Sequence, residues 1–205
     1  RKDICNLYEH HVLHSLGIAN HRTVLYGELD FFVIAPKLGV FALEVKGGRV
    51  SCNEGIWSFT NKYGKTTSKT RGPFAQANEG MFSLIDAVKL KFGPRHRLSN
   101  LLFGTGVVFP DIEFQVDGTE GEQWQVFDMR DGHSVSNYIR RLSQNAKRKW
   151  EEQFGYFPLD KLPDAKDVKE LATMLRGNFD KVMSIGKKIA YAEEALITLT
   201  EEQFR

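Results

Sequence analysis

Two carboxylates and an amine interrupt an otherwise apolar stretch, "GELDFFVIAPKLGVFALEVKGG", residues 27–48. They are Asp30, Glu44 and Lys46, and their neighbours are Phe31, Phe32, Val33, Ile34, Phe41, Ala42, Leu43 and Val45. Burying a charge is costly unless it is paired or binds a metal. Two acidic oxygen donors beside one amine suit a divalent cation such as Mg²⁺, which keeps several waters and uses few carboxylates. The amine can then orient a water or stabilise charge developing on a phosphate. A blander reading stands beside this one, with Glu44 and Lys46 facing solvent and Asp30 merely opening a strand.

The choice depends on the elements that carry the three residues. Residues 23–35 and 40–46 read as strands rich in Val, Ile and Phe. Side chains alternate along a strand, so Glu44 and Lys46 share a face and Val45 takes the other. "PKLG" favours a three-residue loop, Lys37–Gly39, with Gly39 left-handed after a type I turn. Phe32 then falls opposite Glu44, and Asp30 opposite Lys46, with all three charges on one face. An even-length loop without a bulge places Asp30 on the wrong face.

The rest of the chain supplies the frame. Residues 3–16 read as a helix, with Ile4, Tyr8, Val12 and Leu16 at helical spacing, Leu13 widening the stripe and Gly17 as its stop. On such a helix Glu9 breaks the apolar face; alternatively it is a border residue whose carboxylate reaches water. "RVSCNEGIWSFTNKYGKTT" reads as a meander turning at "NEG" and "NKYG". "RGPFAQANEGMFSLIDAVKLKFG" is a helix with Pro73 in its first turn and Gly93 at its end. "LLFGTGVVFP" and "EGEQWQVFDM" are expected strands, followed by a basic helix in 134–155 and another helix from Asp164 onward. An antiparallel start followed by a helical crossover predicts an α/β fold, a mixed sheet flanked by helices on both faces.

Composition narrows the class. The 205 residues are 41% hydrophobic and 26% charged, which suits a globular domain with a sizeable core. A net charge of +2 does not by itself imply a nucleic-acid partner. No run of 18 apolar residues exists to span a membrane. Cys5 and Cys52 form no CxxC pair and are expected to be reduced, buried thiols of a cytoplasmic protein.

The ordered motifs resemble the PD-(D/E)XK nuclease superfamily, and within it the nuclease-related domain called NERD. The hairpin is similar to its D…ExK core. "RVSCNEGIWSF" resembles the family's Gly-Trp hairpin, "PFAQANEGMFSLIDAV" its Pro-x-x-Gln helix, and "EHHVLHSL" its opening Glu-bearing helix. The likeness covers roughly residues 5–110. It implies a restriction-endonuclease-like fold hydrolysing DNA phosphodiester bonds with Mg²⁺ or Mn²⁺. Asp30, Glu44 and the Val45 carbonyl would be metal ligands, Lys46 the catalytic lysine, and Glu9 and Gln76 assisting residues. Gln76, near a helix start, has an equally open local reading, a hydrogen bond to a nearby carbonyl. The implied division is a nuclease-like domain in 1–155 and a helical extension in 156–205. "LITLTEEQFR" is similar to the opening of superfamily 1 helicases, where Gln203 would read adenine. The implied partners are therefore DNA and a helicase-like domain. The alternative is a non-catalytic nucleic-acid-binding or interaction module appended to such a helicase.

Weaker signals complete the reading. Lys62, Lys65, Lys69 and Arg71 follow the hairpin and could contact a phosphate backbone. Arg140, Arg141, Lys147, Arg148 and Lys149 form a second basic cluster. Either is equally readable as a solvated surface. Trp57 and Tyr63 could stack on bases, although core packing suits Trp57 better. His10 and His14 have the spacing of zinc ligands on a helix but lack a third partner, and His133 precedes a helix. "YGKTT" fails as a phosphate loop, because Phe59 stands where the motif's first glycine belongs.

Overall fold

The computed structural model describes residues 11–19 and 26–175 except His133, with main chain alone for 11–29. The elements are β1 (His11–Ala19), β2 (Tyr26–Ala35), β3 (Gly39–Val45), β4 (Arg49–Asn53), β5 (Ile56–Thr60), β6 (Thr66–Lys69), α1 (Pro73–Phe92), β7 (Phe103–Phe109), β8 (Val126–Asp128), α2 (Val135–Phe154) and α3 (Ala165–Leu175). One sheet has the order β1-β2-β3-β7-β8, and β4, β5 and β6 form a smaller one. The first three strands are antiparallel, whereas β3, β7 and β8 run parallel. The sheet is therefore mixed, as expected.

Strand β3 is central, and six of its seven residues are buried, which suits a strand covered on both faces. Phe32, Ile34, Val40 and Ala42 pack with Leu84 and Val88 of α1 and Val168 and Leu171 of α3. On the opposite face Val33, Ala35, Phe41 and Leu43 pack with Tyr138, Ile139 and Leu142 of α2. A third cluster joins Trp57 and Phe59 of the small sheet to Phe74, Val107 and Phe109. The compact unit that holds these elements runs to Leu175.

Several expectations need correction. Residues 11–16 are not helical; they belong to β1, which pairs along its length with β2 from His11↔Ile34 to Ala19↔Tyr26. Val12 and Leu16, four residues apart, fit a helical turn and a strand's period of two alike, and Ile18 continues the period of two alone. Pairing also satisfies the main-chain groups along the edge of β2, so the tertiary partner decides. His14 therefore lies on a strand rather than on the expected helix. Residues 3–10, including Cys5, Glu9 and His10, lie outside the described residues, as do His133 and Gln203. "EGEQWQVFDM" forms only a three-residue strand between two short 3₁₀ turns. Cys52 is an exposed free thiol rather than a buried one, because β4 lies at an edge of the small sheet.

Candidate active site at the end of the central strand

The hairpin register differs from the expected one by two residues. Ala35 pairs with Gly39 and Phe32 with Ala42, so the loop is Pro36–Leu38. The Leu38 N–H donates to the Ala35 carbonyl at 3.1 Å, and Lys37 takes a positive φ of 60°. Proline second and a positive φ third is the pattern of a type II turn. Lys37 is held there by its own N–H donating to the Pro163 carbonyl at 2.8 Å. Gly39 joins the strand instead of the loop. A Cβ there would meet the Leu102 carbonyl oxygen and the Phe41 ring, each at 3.0 Å.

A shift of two preserves parity, so the face survives although the pairing does not. Counted on from Phe31↔Leu43, the last pair, Asp30 stands opposite Glu44 rather than Lys46. The ladder stops there, and the Asp30 carboxylate replaces it: the Val45 N–H donates to Asp30 Oδ2 at 2.8 Å. A strand residue's N–H and carbonyl point the same way, so the Val45 carbonyl is directed to the Asp30 side. The Lys46 N–H donates the other way, to the Val108 carbonyl at 2.9 Å.

Glu44 is 4% exposed and accepts a hydrogen bond from Lys46 Nζ. Burial pushes its carboxyl above the ordinary value of 4.5. The Lys46 hydrogen bond and charge oppose this, Asp30 reinforces it, and Lys69 opposes it more weakly. Lys46 Nζ also lies 5.6 Å from the Phe59 ring centre, beneath the small sheet. The site thus sits on the α1 face of the large sheet, beside strands β5 and β6.

The structure treats the other candidates unevenly. Lys69 is exposed, and its charge acts on Glu44. Lys62 lies over the Tyr63 ring at the tip of the β5–β6 hairpin, and Lys65 is exposed beside it. Arg71 is ion-paired with Glu79 of α1. Gln76 turns back on its own helix entry, its Nε2 donating to the carbonyls of Arg71 at 3.1 Å and Gly72 at 3.3 Å. Its local reading is the one seen. Sequence reasoning missed Asp111, just beyond β7, whose Oδ2 accepts from the Gly48 N–H at 2.6 Å and pins the turn after Lys46. Only the parallel pairing of β3 with β7 brings it there.

Three of the five residues of the second basic cluster, Arg141, Arg148 and Lys149, are ion-paired within the chain. Arg141 bonds both oxygens of Asp131 and the carbonyls of Trp124 and Val126. Lys149 pairs with Glu122, and Arg148 with Glu152 at 3.6 Å. Compared with models of protein families, with curated proteins and with solved structures, the chain has no match.

Proposed function

We propose that this chain is a divalent-metal-dependent nuclease domain of the PD-(D/E)XK type, most similar to NERD, acting on DNA phosphodiester bonds. The observation that carries the reading is the meeting of Asp30, Glu44 and Lys46 on one face at the end of the central strand. Among the described residues no group of three His, Cys, Asp or Glu side chains could hold a metal. A cation here would rest on Asp30, Glu44, the Val45 carbonyl and water, a donor set that fits Mg²⁺ or Mn²⁺. Asp30 commits Oδ2 to the main chain and Glu44 commits Oε1 to Lys46, which leaves Oδ1 and Oε2 for a ligand. Burial, more than any neighbouring charge, raises the proton affinity of Glu44.

When bound, the cation would supply Lewis-acid activation of water and charge neutralisation at phosphate. Glu44 holds the Lys46 ammonium in place, and the ammonium stabilises the negative charge that develops on the phosphate. The Asp30 bond to Val45 fixes the end of β3, and so the spacing between the two carboxylates. Lys69, exposed and with its charge acting on Glu44, would attract the backbone of the substrate.

The test is cleavage of DNA with and without Mg²⁺ or Mn²⁺, comparing the wild type with Lys46→Ala and Asp30→Ala. Each variant is expected to lose on the order of 10³-fold in rate. Equal activity in all three proteins refutes the assignment. A second reading, a non-catalytic nucleic-acid-binding module, draws support from Lys62 and Lys65, which stand exposed at a hairpin tip rather than at the carboxylates. It requires salt-sensitive DNA binding that survives Asp30→Ala while no preparation cleaves.

A further inference from the structure

The chain passes from the large sheet to the small one through residues 46–48, between Val45 at the end of β3 and Arg49 at the start of β4. Lys46 is the first of them, so its side chain is rooted just outside the regular strand. Lysine carries its ammonium on a flexible four-carbon stem, and where that charge comes to rest depends on how firmly the root is held. Two bonds hold the root. The Lys46 N–H donates to the Val108 carbonyl at 2.9 Å, and the Gly48 N–H donates to Asp111 Oδ2 at 2.6 Å. The first closes the parallel pairing that ends at Val45↔Val108. The second depends on a side chain brought in from beyond the end of β7. A carboxylate makes a shorter and stronger bond with a backbone N–H than a neutral acceptor does.

The turn is shaped around these contacts. Gly48 has a φ of +81°, and a Cβ there would collide with the Thr60 carbonyl oxygen of β5. A Cβ on Gly47 would lie 3.2 Å from Asp111 Oδ2. The two glycines therefore let the main chain settle against β5 and against the Asp111 carboxylate. Asp111 is exposed, and among the described residues it completes no metal-holding group with Asp30 and Glu44. Its route to the chemistry runs through the turn to Lys46. The Lys46 ammonium donates to Glu44 and lies 5.6 Å from the Phe59 ring centre. A turn released from Asp111 lets the root of Lys46 swing and the ammonium exchange Glu44 for water. Misplacing a reacting group by about 1 Å can cost on the order of 10²-fold in rate.

We propose that Asp111 is a positioning residue for Lys46, acting as a main-chain acceptor rather than as a metal ligand or a free charge. Its effect on cleavage rests on the nuclease reading, whereas its hold on Lys46 does not. The full chain is compared as wild type, Asp111→Ala and Asp111→Asn. Asparagine keeps an acceptor oxygen and drops the charge; alanine drops both. Both variants are expected to fold, because the carboxylate is exposed. In Mg²⁺ or Mn²⁺, Asp111→Ala is expected to lower kcat on the order of tenfold at unchanged KM, with Asp111→Asn within about twofold of the wild type. Lys46 is read separately in ¹³C-lysine-labelled protein, in EDTA and without DNA. Its Cε–H resonance, identified by its loss in Lys46→Arg, is expected apart from those of exposed lysines in the wild type and Asp111→Asn. In Asp111→Ala it should move towards them. A resonance unmoved in Asp111→Ala overturns the proposal. So does an unchanged kcat, a loss confined to KM, or a loss that asparagine does not restore. If no preparation cleaves, the nuclease reading falls, and the resonance alone then decides whether Asp111 holds Lys46.

Discussion

Two clusters of mixed charge stand at the ends of parallel strands, one after β3 and one after β8, and they are built on opposite plans. Asp128, 3% exposed, accepts from the Phe114 N–H, the Arg130 N–H and the Arg130 guanidinium, at distances from 2.5 to 3.2 Å. Asp131 accepts from the Asp128 N–H at 3.1 Å and from Arg141 at 2.6 and 3.0 Å. Burial raises the proton affinity of both, but these hydrogen bonds outweigh it and hold both carboxyls below the usual range. Glu44 is as little exposed as Asp128 but lies deeper in the protein, its hydrogen-bond partner among the described residues is Lys46, and its carboxyl lies above the usual range. Deep burial together with few donors is what sets Glu44 apart from Asp128.

That contrast is easiest to break with matched amide substitutions. Asp30→Asn is expected to lower metal-dependent cleavage on the order of 10³-fold, because the amide is a poor ligand. Its stability should change by less than about 1 kcal/mol, since the amide oxygen can still accept from the Val45 N–H. Urea denaturation alongside rate measurements separates the two effects. Asp128→Asn is expected to do the reverse, losing about 2–4 kcal/mol of stability while the folded fraction cleaves as before. If Asp128→Asn silenced cleavage in folded protein, the β8 cluster would have to be counted with the active site.

The two carboxyls also differ in the sign of their pH dependence. The depressed Asp128 contributes stability that is present above its ordinary value of 3.8 and lost as pH falls through its folded value. Glu44 is raised, so its contribution is present below 4.5 and lost as pH rises through its folded value. Glu44→Gln is accordingly expected to match or exceed the wild type in thermal stability at neutral pH. That advantage should vanish below about pH 4.5, which melting curves across pH would show. A variant less stable at neutral pH would place Glu44 in the same class as Asp128. The smallest effect belongs to the hairpin tip. Lys62→Ala and Lys65→Ala should each flatten the salt dependence of DNA binding by about one unit of slope. Unchanged slopes would leave both lysines as solvated surface.

Local patterns were legible where one period had no rival. Pro73 and Gly93 bound α1 as expected, and the "NEG" and "NKYG" turns fall between β4, β5 and β6. The segment 11–19 was misread because its apolar spacing fits a helix and a strand alike, and pairing with β2 decided between them. The basic residues were equally ambiguous. Arg141 and Lys69 look alike in sequence, yet one is locked to Asp131 and two carbonyls while the other acts on Glu44. Trp57 was read as core and is buried, whereas the bond from Gly48 to Asp111 could not be read from residues 63 positions apart.

The sequence by itself determined that Asp30, Glu44 and Lys46 share a face, since strand alternation and an odd-length loop require only local geometry. Only the tertiary structure decided which residues oppose each other and what surrounds them. The turn type depended on Pro163 receiving the Lys37 N–H, and the ladder ended where the Asp30 carboxylate took the Val45 N–H. The proton affinity of Glu44 then followed from how deeply the fold buries it, a quantity that no spacing of residues along the chain contains.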